Sequence, residues 1–132
     1  MVGQQAQLGA NREALDHAGI AARVPHQGAM CLLDTVVAWD DARVHCSATS
    51  HRDTTNPLRS HGQLAAVCGI EYAAQAMAVH GALRAGADTA PCAGFLTSVR
   101  EVEFHASRLD AADTLDVHAE CLSDAGKHQM YA

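Results

Sequence analysis

The feature that most constrains this chain is the segment 63–85, in which helix-forming and apolar side chains fall on every side of a helical projection. Such a segment is typical of a helix that is buried all round. The part from 64 to 83 is long enough to cross a membrane, but it carries Glu71, Gln75 and His80 and is rich in alanine, which favours insertion only weakly. We therefore expect a long central helix, about 63–85, inside a globular protein.

The segments before this helix predict a short helix followed by a hairpin. Residues 11–23 have Asn11 as a candidate N-cap and apolar contacts from Leu15 and Ile20, which indicates a short amphipathic helix. Residues 30–39 are strand-rich and reach a turn at Asp40 and Asp41, after which 42–50 predicts a second strand. The polar stretch 51–62 then predicts a surface loop.

The segments after the helix predict more strands. Residues 94–106 alternate apolar and polar side chains with an irregularity near Arg100, as a bulged strand would. In 115–121 every second residue is apolar, and 127–132 begins another strand. Strands on both sides of one long helix indicate a single α+β domain over 1–132, with the helix packed on an antiparallel sheet.

Charge and cysteine content exclude several classes of protein. Fifteen acidic and nine basic residues give a net charge of −6, which argues against a nucleic-acid-binding surface. The five cysteines form no C-x-x-C pair and their number is odd, so reduced thiols in the cytoplasm are expected. The first ten residues do not resemble a signal peptide, and the sequence has no metal-ligand spacing such as H-E-x-x-H, so we expect no metal site.

Glu71 is the strongest candidate for chemistry. A carboxylate in the middle of a buried apolar helix loses several kcal/mol of solvation unless it is paired or protonated. The loop before the helix supplies His51 and His61, either of which would form an acid–base pair with Glu71. The backbone N–H groups at the helix start, near Ala66, would suit a carbonyl oxygen. A structural role for Glu71, facing a wet groove or capping a loop, is the alternative.

Two motifs carry a resemblance to a known family. The stretch VPHQGAMCLLDTVVAWD (24–40) resembles the L-P-H-R-x-P-x-L-L-V-D-R-V signature of 3-hydroxyacyl-acyl-carrier-protein dehydratases, and GIEYAAQAM (69–77) resembles the central helix of that family, in which an acid is followed four positions later by Gln. The chain is most similar to the small dehydratase-like proteins of aryl-polyene biosynthesis clusters, through P-H-x-G-x-M-C-L-L-D and N-P-L-R…G-I-E-Y-A-A-Q-A-M. The resemblance covers about 24–122.

The resemblance implies a hotdog fold, a dimer, and a substrate carried as a thioester on the phosphopantetheine of acyl carrier protein, with no other cofactor. It implies Glu71 as the acid, with His26, Ala66 and Gln75 in substrate binding, Ala66 through its N–H. The family places its catalytic His fourteen residues before the acid, where this chain has Pro57. We therefore expect His51 to fold back as the base.

Three functions remain open from the sequence. The first is a lyase that dehydrates 3-hydroxyacyl thioesters on acyl carrier protein, in fatty-acid-like or polyene biosynthesis. An acyl thioesterase is the second, because the same acid can activate water. The third is a non-catalytic hotdog subunit that stabilises an active dehydratase partner, as the departure at Pro57 suggests. Relatives continue past the equivalent of Tyr131 with further strands, so we expect a shortened chain or an exposed sheet edge.

Overall fold

The computed structural model describes residues 14–86, 96, 98–110 and 113–132. One long helix packs on a four-stranded antiparallel sheet, which confirms the predicted α+β hotdog fold. In chain order the elements are α1 (His17–Ala21), β1 (Thr35–Trp39), β2 (Arg43–Ala48), α2 (Gly69–Ala85), β3 (Leu115–Asp124) and β4 (Gln129–Tyr131). Short 3-10 turns lie at Gly28–Met30, Ser50–Arg52 and Ala66–Cys68.

Each strand of the sheet pairs with its neighbour in sequence, in the order β1-β2-β3-β4, and helix α2 lies in the connection between β2 and β3. The β1–β2 turn lies where the sequence predicts it, and Asp40 Oδ1 accepts hydrogen bonds from the backbone N–H groups of Ala42 and Arg43, both at 2.8 Å. Val44 and Cys46 on β2 and Val117 on β3 point into the core. The alternating apolar pattern of these strands thus places one face of the sheet against α2.

Helix α2 is buried along one stripe and not all round as expected. Its buried residues follow the 3–4 spacing of a helix face: Tyr72, Gln75, Ala76, Val79 and His80. The other sides are half-buried or exposed, because the sheet of a single chain covers only one side of the helix.

The α-helix begins at Gly69, later than the predicted start near 63. Residues 64–66 are instead extended and pair with 107–109: the N–H of Ala66 donates to the carbonyl of Ser107, and the N–H of Leu109 donates to the carbonyl of Leu64, both at 2.9 Å. This tertiary pairing overrides the helix propensity of the alanines, and the 3-10 turn Ala66–Cys68 joins it to α2.

Helix α1 is also shorter than the predicted 11–23. Its N-cap is Asp16, whose side chain accepts from the N–H of Gly19, whereas Asn11 lies outside the described residues. Leu15 is not helical, because it pairs with Val36 at the edge of β1. The cap thus lies where the extended chain leaves the sheet.

The predicted strand over 94–106 is not formed in its described part. Residues 98–106 carry no strand, and Glu101, next to the predicted irregularity, has a positive φ of 56°; 94, 95 and 97 lie outside the described residues. A strand needs a paired neighbour, and these residues have none within the described chain. The large apolar side chains of this segment are consequently exposed: Leu96, Val99, Val102 and Phe104.

The described cysteines, Cys31, Cys46, Cys68 and Cys121, are free thiols, and Cys92 lies outside the described residues. Within the described ranges no three His, Cys, Asp or Glu side chains are grouped so as to hold a metal ion. Across the same ranges, the helices are too short or too polar to cross a membrane.

Candidate active site

Glu71 contacts His26, in one of the His–carboxylate pairs among the described residues. The Nε2 atom of His26 lies 3.3 Å from Oε2 of Glu71, and the two side chains are 29% and 36% exposed. Glu71 is therefore not the buried carboxylate that the sequence suggested, because it lies in the first turn of α2 on a side that the sheet does not cover. A half-exposed pair keeps its solvation and is accessible to a substrate.

His26 is held in place by the chain on both sides. Val24 and Leu32 are fully buried and anchor the segment at its two ends. Gln27 donates from Nε2 to the carbonyls of Ala21 and Val24 at 3.2 and 3.3 Å, which ties the end of α1 to this segment. Gly28, with a φ of 59°, then turns the chain into the 3-10 turn Gly28–Met30.

The two ring nitrogens of His26 have different surroundings. Nδ1 is buried and has no hydrogen-bond partner among the described residues, whereas Nε2 faces Glu71. Since Nδ1 is closed off from solvent, proton exchange with a ligand has to run through Nε2. The pair is thus organised around one nitrogen and one carboxylate oxygen.

Gln75 lies one helical turn after Glu71 and is fully buried. Its Oε1 accepts from the N–H of Leu32 at 2.9 Å, and its Nε2 donates to the carbonyl of Met30 at 2.7 Å. Both ends of the amide are therefore bound by the protein, and the expected role of Gln75 in substrate binding stays a prediction.

The two loop histidines, His51 and His61, differ in exposure. His51 is fully buried within the turn Ser50–Arg52, contrary to the surface loop that was expected. His61 is exposed at the tip of a tight turn, where it and Gly62 have φ values of 55° and 74° and Ser60 pairs with Gln63. The sequence alone could not place either side chain.

The N–H of Ala66 is already engaged, because it donates to the carbonyl of Ser107 at 2.9 Å. The expected role of the Ala66 N–H toward a thioester carbonyl stays a prediction, and it would require this hydrogen bond to open. The sequence could not reveal this hydrogen bond, because its acceptor, Ser107, lies about forty residues further along the chain. The first N–H groups of a helix have no partner within the helix, so from the sequence they are expected to be free.

A hydrogen-bonded network next to the pair fixes the loop 50–58 on α2. Ser50 Oγ donates to the carbonyl of Leu32 at 2.7 Å, so its contact with the Tyr72 hydroxyl at 2.8 Å must have Tyr72 as donor. Asn56 Nδ2 donates to the carbonyl of Ser50 at 2.8 Å and to the Tyr72 hydroxyl at 3.1 Å. Burial raises the pKa of Tyr72, which keeps this hydroxyl protonated. Sequence reasoning missed this network, although Tyr72 and Asn56 both belong to the matched motifs.

Arg59 holds the second half of the loop. Its Nε donates to the carbonyl of Asp53 at 2.8 Å and its NH1 to the carbonyl of Gly62 at 3.0 Å, and NH1 also lies 3.7 Å from Asp110 Oδ2. A hydrogen bond from Arg108 holds the pKa of Asp110 well below its usual range. The N-P-L-R motif signalled Arg59, whereas nothing in the sequence pattern signalled Asp110.

A surface groove of about 290 Å³ lies between the 28–34 segment and this loop. Its lining includes His17, Cys31, Asp34, Ser50, Asn56 and Pro57. Pro57 stands where the resemblance places the family's catalytic histidine, so in this chain a ring without an ionisable group lines that position.

Comparison with known families gives one match that covers most of the chain. Residues 18–132 match the model of the ApeP-like family, described as ApeP dehydratase. This confirms the resemblance to the dehydratase-like proteins of aryl-polyene clusters that the motifs indicated. A search of curated proteins found no match. The chain belongs to the ApeP-like family of dehydratases.

Proposed function

We propose that the chain dehydrates 3-hydroxyacyl thioesters carried on acyl carrier protein, with His26 and Glu71 as the reacting pair. The observation that carries this proposal is the 3.3 Å contact between His26 Nε2 and Glu71 Oε2 on half-exposed side chains. A neutral imidazole beside a carboxyl group provides a base and an acid at one place.

The reaction starts with the proton on Glu71 and a free lone pair on His26 Nε2. His26 takes the C2 proton, the electron pair forms the C2–C3 double bond, and the C3–O bond breaks as Glu71 protonates the departing hydroxyl, which leaves as water. His26 has then gained one proton and Glu71 has lost one. A proton transfer across the 3.3 Å contact restores the starting state without an outside acid or base.

We propose that a second hotdog chain, either another copy or a distinct subunit, completes the fold. Val102 and Phe104 are 43% and 54% exposed, and Val67 before α2 is 54% exposed. The alternation of apolar and polar side chains over 102–105 suits a strand that pairs across an interface, where it would cover this apolar surface. Light scattering at micromolar concentration is expected to give at least a dimer, and a monomer would count against the pairing.

The non-catalytic subunit is the second candidate function. Pro57 at the usual histidine position favours it, because a chain that relied on the partner's histidine would not need its own there. In that case a dehydratase partner would gain stability or activity from this chain, and Glu71 would be dispensable.

The deciding experiment supplies a 3-hydroxyacyl chain on acyl carrier protein and identifies the product by mass spectrometry. Wild-type protein is expected to form the enoyl thioester, and Glu71→Gln is expected to lose about 100-fold or more in kcat while remaining folded. Release of free acid would instead establish a thioesterase. Activity only with an added partner, and equal activity with Glu71→Gln, would establish the supporting subunit.

A further inference from the structure

We infer that Gln75 is a positioning residue that sets the separation of His26 and Glu71. The inference rests on the proposed function of that pair and goes beyond it, because Gln75 transfers no proton itself and acts through Glu71 and the backbone of 30–32. Three hydrogen-bonding positions of its buried amide are used: Oε1 on Leu32 N–H, and Nε2 on the carbonyl of Met30 and on Glu71.

The first part of the argument is the link from Gln75 to the segment that bears His26. The two short hydrogen bonds, 2.9 and 2.7 Å, bracket Cys31 and fix the backbone of 30–32 on the helix. From there the 3-10 turn continues back toward His26, because the N–H of Met30 donates to the carbonyl of Gln27 at 3.2 Å. A change in these two hydrogen bonds, which we call the Gln75 bracket, would therefore move His26 relative to α2.

The second part is the link from Gln75 to the acid. Gln75 Nε2 lies 3.5 Å from Glu71 Oε2, which is the same oxygen that His26 Nε2 faces at 3.3 Å. Residues four apart on a helix are neighbours, so this contact orients the carboxylate from the side of α2. One amide thus holds the acid directly and the base through the 30–32 backbone.

No other side chain of similar size can do both. Asparagine is one methylene shorter, methionine has no N–H donor, and glutamate donates only when its carboxyl group is protonated. The bracket therefore requires glutamine, and its loss should affect the geometry of the transition state more than the binding of the acyl chain.

The test compares Gln75→Met and Gln75→Glu with Val79→Ala, which removes buried apolar contacts one turn further along α2 and leaves the bracket intact. The substrate is a 3-hydroxyacyl chain on acyl carrier protein, and rates are expressed per folded molecule by circular dichroism. Gln75→Met is expected to lower kcat about 100-fold with KM nearly unchanged, and Val79→Ala to keep the wild-type kcat.

The pH dependence of activity in the Gln75→Glu variant distinguishes a positioning role from a purely structural one, because a purely structural role would leave this pH dependence unchanged. Its activity per folded molecule, relative to wild type, is expected to rise as the pH falls, because protonation restores a donor to the carbonyl of Met30. Should Gln75→Met unfold, this variant carries the test alone. A wild-type kcat and pH profile in either variant, with Glu71→Gln inactive, would overturn the inference. Full activity in Glu71→Gln would instead overturn the proposed function.

Discussion

Tyr72→Phe tests whether the hydrogen-bonded network beside Glu71 holds the loop 50–58 on the helix. Tyr72 is 1% exposed, and its hydroxyl donates to Ser50 and accepts from Asn56. The substitution removes one oxygen without creating a large cavity, so its cost is that of two buried hydrogen bonds. At about 1 kcal/mol net for each bond, the free energy of unfolding should fall by about 2 kcal/mol.

Urea unfolding with linear extrapolation measures this change, and the m value should stay the same because the fold is unchanged. A double-mutant cycle with Ser50→Ala isolates the Ser50–Tyr72 bond, for which we expect a coupling energy of about 1 kcal/mol. A loss below about 0.5 kcal/mol in Tyr72→Phe, or no coupling to Ser50, would refute the network as a source of stability.

Two further predictions concern the dependence of stability on pH. The ring nitrogens of His80 contact the Tyr131 hydroxyl and the carbonyl of Asp40, both at 2.8 Å. Burial lowers the pKa of His80, so the unfolded chain binds a proton at this residue more readily than the folded protein does. The free energy of unfolding should therefore decrease as the pH falls below about 6.5, and denaturant titrations at several pH values should show a flatter slope in His80→Gln but not in the exposed control His105→Gln. The pKa of Asp110 is lowered in the folded protein, so its ionised carboxylate stabilises the fold at neutral pH and this stabilisation is lost on acidification. Asp110→Asn should therefore lower the melting temperature at pH 7. Thermal scans should show that the difference in melting temperature between the variant and wild type narrows as the pH falls below about 4. A pH-independent difference would show that the charge of Asp110 does not stabilise the fold.

The fold was predictable because its signals are local. Alternation in 42–50 and 115–121 predicts strands, the alanine-rich segment predicts α2, and Gly86, with a φ of 101°, ends that helix as a glycine at this position commonly does. The start of α2 was not predictable, because it depends on the pairing of 64–66 with 107–109 across the fold. The strand predicted over 94–106 is not formed over 98–106 for a related reason, since a strand forms only where it has a partner.

The candidate site was predictable only in part. Glu71 stood out as a charge in an apolar helix, and His26 belongs to the motif that carries the resemblance, yet nothing local indicates that the two side chains meet. The conformation of the loops decides which histidine meets Glu71. The sequence favoured His51 because it begins a long polar loop that could fold back to the start of the helix. The structure places His51 within the protein interior and leaves its assignment as the base untested.

The measurement that tests the central claim most directly is the kcat of three histidine variants, His26→Gln, His51→Gln and His61→Gln, on a 3-hydroxyacyl chain bound to acyl carrier protein. Rates are compared per folded molecule, because His51 is fully buried and its replacement will cost stability. With His26 as the base, His26→Gln should lose between about 100-fold and 10,000-fold in kcat, and the other two should remain near the wild-type rate. Full activity in His26→Gln, with loss of activity in His51→Gln, would contradict the account and would identify the loop residue His51 as the base.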